Sequence, residues 1–392
     1  MISFNEKLLL DSNQKDELWF LRKVYIDIYT TKIAKILLRL LFINCIFLMS
    51  VQAVLFLQKF EASYLLKYVA GYSGSFFVLA CFYAVPIMVK TMKVKFIAGI
   101  KKWRVDSASE KIKNEIKTTA FIINIYTGVT VVLGVFCSLL FSIPTEDDTD
   151  FIFSIALMDR FVPEWKSVLM WPYRFSLFPL AVILTTPCFV VIYVVHHARF
   201  QMLLLLHYLK NVNSGHMTQS IGNARFQKEI RKRLKFCIKR HNHIITSLNQ
   251  CRIDLYNLII VFAVTGGLML ISILIFLFSF QGSFKSQYVR VTAFTIEYIL
   301  TFSHVIVVGQ MSENVTFEFF QILKTVDWNR WNLSNQKTYL VFLENTQNHF
   351  KIQFSENIAL NYELGVSILK TVASMLSVLN QIKSIDYSKE KM

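Results

Sequence analysis

Seven long apolar blocks, separated by polar and charged segments, dominate the pattern of the 392-residue chain. A helix needs about 20 apolar residues to cross a bilayer, and a backbone in lipid must satisfy its hydrogen bonds within its own segment. The pattern therefore predicts an all-α integral membrane protein with seven transmembrane helices. The predicted spans are 35–57, 65–89, 119–143, 174–206, 257–280, 291–311 and 355–380.

Basic residues are distributed unevenly among the segments that connect these blocks. Of the 42 Lys and Arg residues, 27 lie in segments 1–34, 90–118, 207–256 and 312–350. Because segments rich in Lys and Arg stay in the cytoplasm, we expect a cytoplasmic N-terminus and an extracellular C-terminus. The acidic residues after the third block then lie outside, namely Glu146, Asp147, Asp148 and Asp150.

Composition narrows the possible functions. Only 17% of the residues are charged, whereas soluble proteins carry about 25%. The net charge is +16. The basic residues that produce it lie mainly between the apolar blocks, where they face the anionic membrane lipids of the inner leaflet, so we expect no nucleic-acid partner. The sequence contains no nucleophile constellation, phosphate loop or metal-ligand spacing, so we expect neither an enzyme nor a bound cofactor.

Orientation also bears on the alternative classes of membrane protein. A G-protein-coupled receptor has seven helices but an external N-terminus, and this chain lacks an NPxxY-like sequence in its last block. A transporter often shows matching repeats in two halves, and none is evident here. Both classes are therefore disfavoured.

A few ionisable residues fall inside the apolar blocks, where they are costly and are candidates for a functional role. Glu297 lies in the sixth block and either borders a hydrated cavity or holds neighbouring helices as a hydrogen-bonded carboxyl. Glu363 and Lys370 are seven residues apart in the last block and share one helix face. The basic amphipathic stretch 225–240 is interpreted as the cytoplasmic continuation of a neighbouring span, with a calmodulin or phosphoinositide site as the alternative.

The C-terminal region carries the most specific pattern of the chain. Trp328, with Trp331 as a rival for its position, is followed by Gln347, Glu363 and the sequence VSILKT at 366–371. This pattern resembles the C-terminal signature of insect odorant receptors, in which a Trp and a Gln precede a sequence close to LSLExFVSILKT. An aromatic pair that often follows in that family is replaced here by Ala373, Ser374 and Met375.

The resemblance implies an odorant-gated, non-selective cation channel built from four subunits around one pore. The chain lacks the long insertion between the fourth and fifth helices that marks the family's co-receptor, so it resembles an odorant-specific tuning subunit. Its implied partners are the co-receptor, in a heterotetramer, and a small volatile, and its Phe and Tyr content favours an aromatic one. The implied location is the plasma membrane of a sensory-neuron dendrite. A gustatory-receptor-type ligand-gated channel shares this architecture and is the alternative.

The family's organisation divides the chain into four regions. Residues 1–34 form a cytoplasmic segment, 35–311 a six-helix bundle with the odorant pocket, 312–350 a cytoplasmic anchor, and 351–392 the pore-lining helix with a short external tail. The resemblance places the gate at Val378 and Ile382, with Gln381 as a polar neighbour, while the alternative for these residues is ordinary helix packing.

The implied odorant pocket lies in the outer halves of helices two to six. An apolar, aromatic cavity with a few hydroxyls suits a small volatile, although aromatic residues in such helices also serve simply as packing. The predicted pocket residues are Tyr72, Phe76, Phe77, Gly134, Val135, Ser138, Phe175, Phe178, Pro179, Val182, Tyr288, Thr295 and Tyr298.

Overall fold

The fold is helical throughout the part of the chain that the computed structural model describes. The described residues are 16–58, 62–97, 103–146, 148–214, 221–279, 285–347, 350–353 and 358–390. Within these ranges the only β-type pairing outside the helices that joins two described residues is an isolated bridge between Gln353 and Ala359. The predicted all-α fold class is confirmed.

Eleven α-helices follow one another along the described ranges. In chain order, α1 to α11 are Trp19–Arg22, Lys32–Gln58, Ala62–Thr91, Glu110–Ser142, Asp148–Phe151, Phe153–Phe161, Lys166–Lys210, Ala224–Ser279, Lys285–Lys324, Leu333–Asn345 and Tyr362–Glu390.

Six of the described helices are long and apolar enough to cross a membrane, namely α2, α3, α4, α7, α8 and α9. They correspond to the first six predicted spans. The seventh predicted span corresponds to α11, whose 29 residues extend about 44 Å at 1.5 Å per residue. Its apolar sequence is interrupted by Lys370 and by several Ser and Thr residues, which is typical of a helix that does not face lipid on all sides.

Two helices extend well beyond the membrane. Helix α7 has 45 residues and α8 has 56, about 68 and 84 Å long, against a hydrocarbon core of about 30 Å. Helix α7 begins at Lys166, earlier than the predicted 174, because the apolar pattern of Val168 to Trp171 continues the helix outward. The basic stretch 225–240 forms the start of α8, which confirms that it continues a neighbouring span.

The core of the molecule is centred on α7. Nearly every residue from Thr186 to Leu206 is buried, as expected for a helix surrounded by others on all sides. Helix α2 differs, since Ile33, Leu40 and Phe47 are exposed along it, which is typical of a surface that faces lipid tails.

The described part of the N-terminal segment packs against α7. The Asp16 carboxylate accepts a hydrogen bond of 2.6 Å from the Tyr193 hydroxyl and lies 2.8 Å from His197 Nε2. Leu18 and Leu21 are fully buried beside it. The segment is therefore an integral layer of the bundle rather than a free tail.

The region 312–350, which the resemblance predicts to be an anchor, contains the end of α9 and helix α10. Asn332 caps α10 by accepting a hydrogen bond of 3.0 Å from the Asn335 backbone N–H. Trp331 is buried, and its Nε1–H donates to Asn213 Oδ1 over 2.9 Å, whereas Trp328 is only partly buried. Both rings contact Tyr339, so both rivals for the signature Trp lie in one aromatic cluster.

The last helix packs on α8 and α9. An ideal Cβ at Gly309 of α9 would lie 2.1 Å from the backbone oxygen of Leu360, so only glycine permits this approach of the chain just before α11. Helix α11 leaves Val366, Leu369 and Val378 exposed.

Candidate functional site

A cavity of about 380 Å³ lies inside the bundle. Side chains from α2, α3, α4, α7, α8 and α9 form its wall, and Ile152, Phe153 and Ser154, from the start of the loop helix α6 and its junction with α5, form its roof. This volume is within the roughly 300–1,000 Å³ range of small-molecule sites. Among the described residues, the structure therefore has a cavity of suitable size between the transmembrane helices, where the sequence predicted the pocket.

The wall that α7 contributes follows helical spacing. Tyr173, Leu177, Leu180, Leu184 and Cys188 all face the cavity, and their separations of three or four residues place them on one helix face. The same rule operates on α9, where the wall residues recur at similar intervals, at Val291, Phe294, Glu297, Tyr298, Thr301 and Phe302.

The structure brings three of the predicted pocket residues into the cavity wall, namely Phe77, Ser138 and Tyr298. A fourth, Gly134, lies behind the wall against Glu297. The remaining nine are outside the wall. Phe76, Val135, Phe175 and Tyr288 are exposed on the bundle surface, Tyr72 donates a 2.8 Å hydrogen bond to the Gln52 carbonyl, and the others are Phe178, Pro179, Val182 and Thr295.

Helix rotation explains these differences. Phe175, Phe178 and Val182 share one face of α7, but that face is offset by about 150° from the Tyr173–Leu177–Leu184 face at 100° per residue. Hydropathy alone does not distinguish these faces, because a helix that faces lipid on one side and the cavity on the other is apolar on both. All of the predicted helices, two to six, thus line the cavity, together with the first helix, while most of the predicted positions point elsewhere.

Glu297 is the only acidic residue of the cavity wall among the described residues. It is 6% exposed and lies beside the Cys137 thiol. An ideal Cβ at Gly134 would lie 2.9 Å from Glu297 Oε1, so the glycine leaves room for the carboxyl. Of the two interpretations of Glu297, the structure places it at the border of a cavity.

The other polar groups of the wall differ in how they are satisfied. The Ser138 hydroxyl is positioned to donate to the carbonyls of Gly134 and Leu177 at 2.9 and 3.1 Å. Gln52 is 3% exposed, and its Nε2 has no hydrogen-bond partner among the described residues. The contribution of α2 was not predicted, because its long apolar run gives no sign of which face meets the cavity. Among the described residues, no group of His, Cys, Asp or Glu is arranged to hold a metal ion.

A buried charge cluster fixes the cavity roof to the bundle. The Asp148 carboxylate, at the start of α5, accepts hydrogen bonds from Arg174 of α7 at 2.5 Å and Arg290 of α9 at 2.6 Å. It also accepts from the Thr145 hydroxyl at 2.6 Å. Burial tends to raise the pKa of Asp148, but the hydrogen bonds from Thr145 and the two arginines outweigh it and lower the pKa to about 2.

Both arginines of this cluster are almost fully buried and are further tied to the loop after α4. Arg174 donates to the Phe141 carbonyl over 2.7 Å, and Arg290 donates to the Ile143 carbonyl. Sequence reasoning treated Asp148 only as one of several external acidic residues. Its role depends on two arginines that are 26 and 142 residues away in sequence, which no local pattern reveals.

The predicted gate residues lie on the last helix. Val378 is 54% exposed and Gln381 is also exposed. The side chain of Ile382 is outside the described residues. Val378 and Gln381 therefore lie outside the cavity wall, on a surface that the described part of the single chain leaves open.

Comparisons with known proteins give a consistent result. The model of the 7tm Odorant receptor family matches residues 101–373. The structure is similar to that of the insect olfactory receptor OR5 from Machilis hrabei, with a TM-score of 0.67, 12% identity, and coverage of 93% of this chain and 97% of that one. The same receptor in complex with eugenol gives a TM-score of 0.67 at 13% identity, with the same coverage. No curated protein sequence matches the chain.

Proposed function

This chain belongs to the odorant receptor family, and we propose that it is the odorant-specific subunit of a heteromeric, odorant-gated, non-selective cation channel. The family consists of ligand-gated channels and not of enzymes, and its model favours an odorant receptor over a gustatory one. The chain is a multi-pass membrane protein. We place it in the plasma membrane of sensory dendrites, assembled with the family's co-receptor.

The observation that carries the proposal is the internal cavity of about 380 Å³. Its wall is mainly aliphatic and aromatic, with a few polar groups, which is the usual composition of a site for a small organic ligand. The OR5 receptor from Machilis hrabei has been solved in complex with eugenol. We propose that the cavity in this chain takes a volatile of comparable size.

Gating requires that the ligand bind the open arrangement more tightly than the closed one. Apolar burial contributes about 25 cal/mol per Å², so a small volatile that loses ~150 Å² of accessible surface gains roughly 4 kcal/mol from this source. If the ligand gained this energy only in the open state, the equilibrium constant for opening would rise by up to about a thousandfold. Affinity should therefore follow the shape of the ligand closely.

The last helix supports a pore-lining role. Helix α11 contacts only α8 and α9 among the helix pairs with substantial packing, and apolar Val366, Leu369 and Val378 are exposed on it. Rings of apolar side chains from several subunits can close a pore by dewetting and open it by modest widening. We propose that Val378, Gln381 and Ile382 contribute to such a ring beside the co-receptor.

The test uses a cavity-filling variant expressed in oocytes together with the co-receptor. Gly74 lines the cavity, and a Cβ there meets no atom within 4 Å, so Gly74→Phe is chosen to fill part of the proposed ligand space. We expect the EC50 of activating odorants to rise by at least tenfold. Gly267 of α8 has equally open surroundings but does not line the cavity, so Gly267→Phe is the matched control.

Two further arms of the experiment separate the alternatives. Current that appears only with the co-receptor supports a tuning subunit, whereas currents to tastants without the co-receptor favour a gustatory channel. Equal odorant responses in wild type, Gly74→Phe and Gly267→Phe, at equal surface expression, would exclude this cavity as the odorant site.

A further inference from the structure

We propose that the cavity takes a small volatile amine, whose nitrogen pairs with the Glu297 carboxyl while its apolar part lies against the aromatic wall. The proposal rests on the odorant-binding function above and narrows it to one chemical class. Its basis is the combination of a buried acid, the absence of a neighbouring base, and the aromatic rings around the acid.

The Glu297 carboxyl has no counter-charge within the cavity. No Lys, Arg or His lines the wall in the described part of the chain. Arg174 and Arg290, which are buried on the wall-forming helices α7 and α9, are already paired with Asp148. The carboxyl itself lies beside the Cys137 thiol, which is only a weak hydrogen-bond donor.

A carboxyl in this position is costly, and a cationic ligand would offset that cost. Burying an ionised carboxylate without a partner costs several kcal/mol, and acids within membrane spans commonly mark a ligand or ion site. An ammonium supplies the missing counter-charge. If a neutral amine enters, the carboxyl proton moves to the nitrogen. If an ammonium enters, it pairs with a carboxylate already ionised, so both routes end in the same ion pair.

The surroundings of Glu297 also match an ammonium ligand. Phe294 and Tyr298 are its neighbours in the wall on α9, and Phe302 stacks on Tyr298 with ring centroids 6.1 Å apart. Across the cavity, Phe77 and Phe262 form a second aromatic pair, 5.1 Å apart. Aromatic faces attract cations through their ring quadrupoles, and the same rings accommodate hydrocarbon. A neutral isostere of the amine gains only the hydrocarbon contact with the rings and not the attraction between the rings and a cation.

The experiment compares three ligands of nearly equal shape, 2-phenylethylamine, 2-phenylethanol and propylbenzene, on oocytes that express the chain with the co-receptor. We expect the wild type to respond to the amine at the lowest concentration. Glu297→Gln keeps the side-chain shape and removes the charge, so it should raise the EC50 of the amine by about tenfold or more. The alcohol and the hydrocarbon should change by less than about threefold, because they do not depend on the charge.

Two further variants complete the design. Glu297→Asp keeps the charge but withdraws it by one methylene, and it should retain part of the amine preference. Glu318 is an exposed acid on the same helix, outside the cavity, so Glu318→Gln makes the same chemical change and should leave all three responses unaltered. Surface biotinylation normalises each current to the receptor present.

The outcomes distinguish this proposal from the function on which it rests. Activation by the alcohol or hydrocarbon with no response to the amine would overturn the amine assignment and leave the odorant receptor standing. Equal shifts for all three ligands in Glu297→Gln would assign Glu297 a structural role and also overturn it. If Glu297→Gln does not reach the cell surface, the amine assignment is judged from the wild-type ranking of the three ligands and from the response of Glu297→Asp to the amine. A failure of every volatile in a wider panel would reject both proposals.

Discussion

Replacing Asp148 with Asn tests whether the buried charge cluster holds the cavity roof in place. In the native chain one carboxylate serves two arginines, whose side chains are only 1% and 3% exposed. The substitution leaves both guanidinium groups buried without their carboxylate. Removing one partner of a buried ion pair typically lowers the free energy of unfolding by about 3–5 kcal/mol. We expect a loss in that range here, because two cations lose the same partner.

A nearby pair provides a matched control at the same distance. Asp159 and Lys166 also lie 2.5 Å apart, but their side chains are 53% and 30% exposed. Solvent screens such a pair, and its contribution to stability is about 0–1 kcal/mol. Asp159→Asn therefore makes the same chemical change, in the same connecting region between α4 and α7, with a much smaller expected effect.

The assay is thermal unfolding of the detergent-solubilised receptor, followed by fluorescence-detected size exclusion. A shift of roughly 2 °C per kcal/mol is expected for a large domain, so Asp148→Asn should lower Tm by at least about 5 °C and Asp159→Asn by less than about 2 °C. Because Ile152 to Ser154 form the cavity roof, the first variant should also weaken odorant potency. Equal Tm shifts in the two variants would refute the claim that burial makes the Asp148 cluster important.

Two other predictions follow from the same structure. The pKa of Asp148 is lowered from 3.8 to about 2 in the folded protein, so its stabilising contribution is complete above about pH 4 and is lost as pH falls from there through about 2. The Tm difference between wild type and Asp148→Asn should thus be constant from pH 5 to 8 and shrink at pH 3, and a difference that varies within pH 5–8 would contradict this. Gly309→Ala places a Cβ 2.1 Å from the Leu360 oxygen and should reduce the maximal odorant current by more than about half, since a displaced backbone contact cannot transmit motion. Gly267→Ala, which meets no atom, is the control, and equal currents in the two variants would contradict the role of that contact.

The helices and their extent were largely predictable from the sequence. The apolar blocks gave the spans because a helix in lipid must be long and continuous. The basic stretch 225–240 was correctly joined to its neighbour because its polar face repeats with helical spacing. The early start of α7 at Lys166 was missed because Pro172 and Arg174 interrupt the apolar block, although the helix accommodates both.

The cavity wall was predictable at the level of helices but not of positions. In a soluble protein the buried face of a helix is marked by its apolar side. Here the exposed residue Phe175 and the wall residue Leu177 are both apolar, so hydropathy does not reveal how α7 is rotated about its axis. Glu297 could be recognised in advance because a carboxyl inside a span must meet something polar.

Contacts between distant segments account for the remaining features. In the sequence Asp148 is not distinguished from the other external acidic residues, and only the folded structure brings Arg174 and Arg290 to it. Likewise Gln52 is one polar residue in a long apolar helix, and only the packing of α2 against α3 places it in the cavity wall. Such contacts join residues tens to hundreds of positions apart, and a single sequence contains no record of them.

Helix α9 links the cavity to the last helix of the chain. Its Glu297 faces the ligand space, and its Gly309, 12 residues further along, contacts the Leu360 backbone just before α11. Twelve residues of continuous helix span about 18 Å, and a helix transmits a displacement because its backbone hydrogen bonds resist bending. Ile306 of α9 also lies against Gly365, within the first turn of α11. We therefore expect a ligand that moves α9 at the cavity to move the start of the proposed pore helix through these direct contacts.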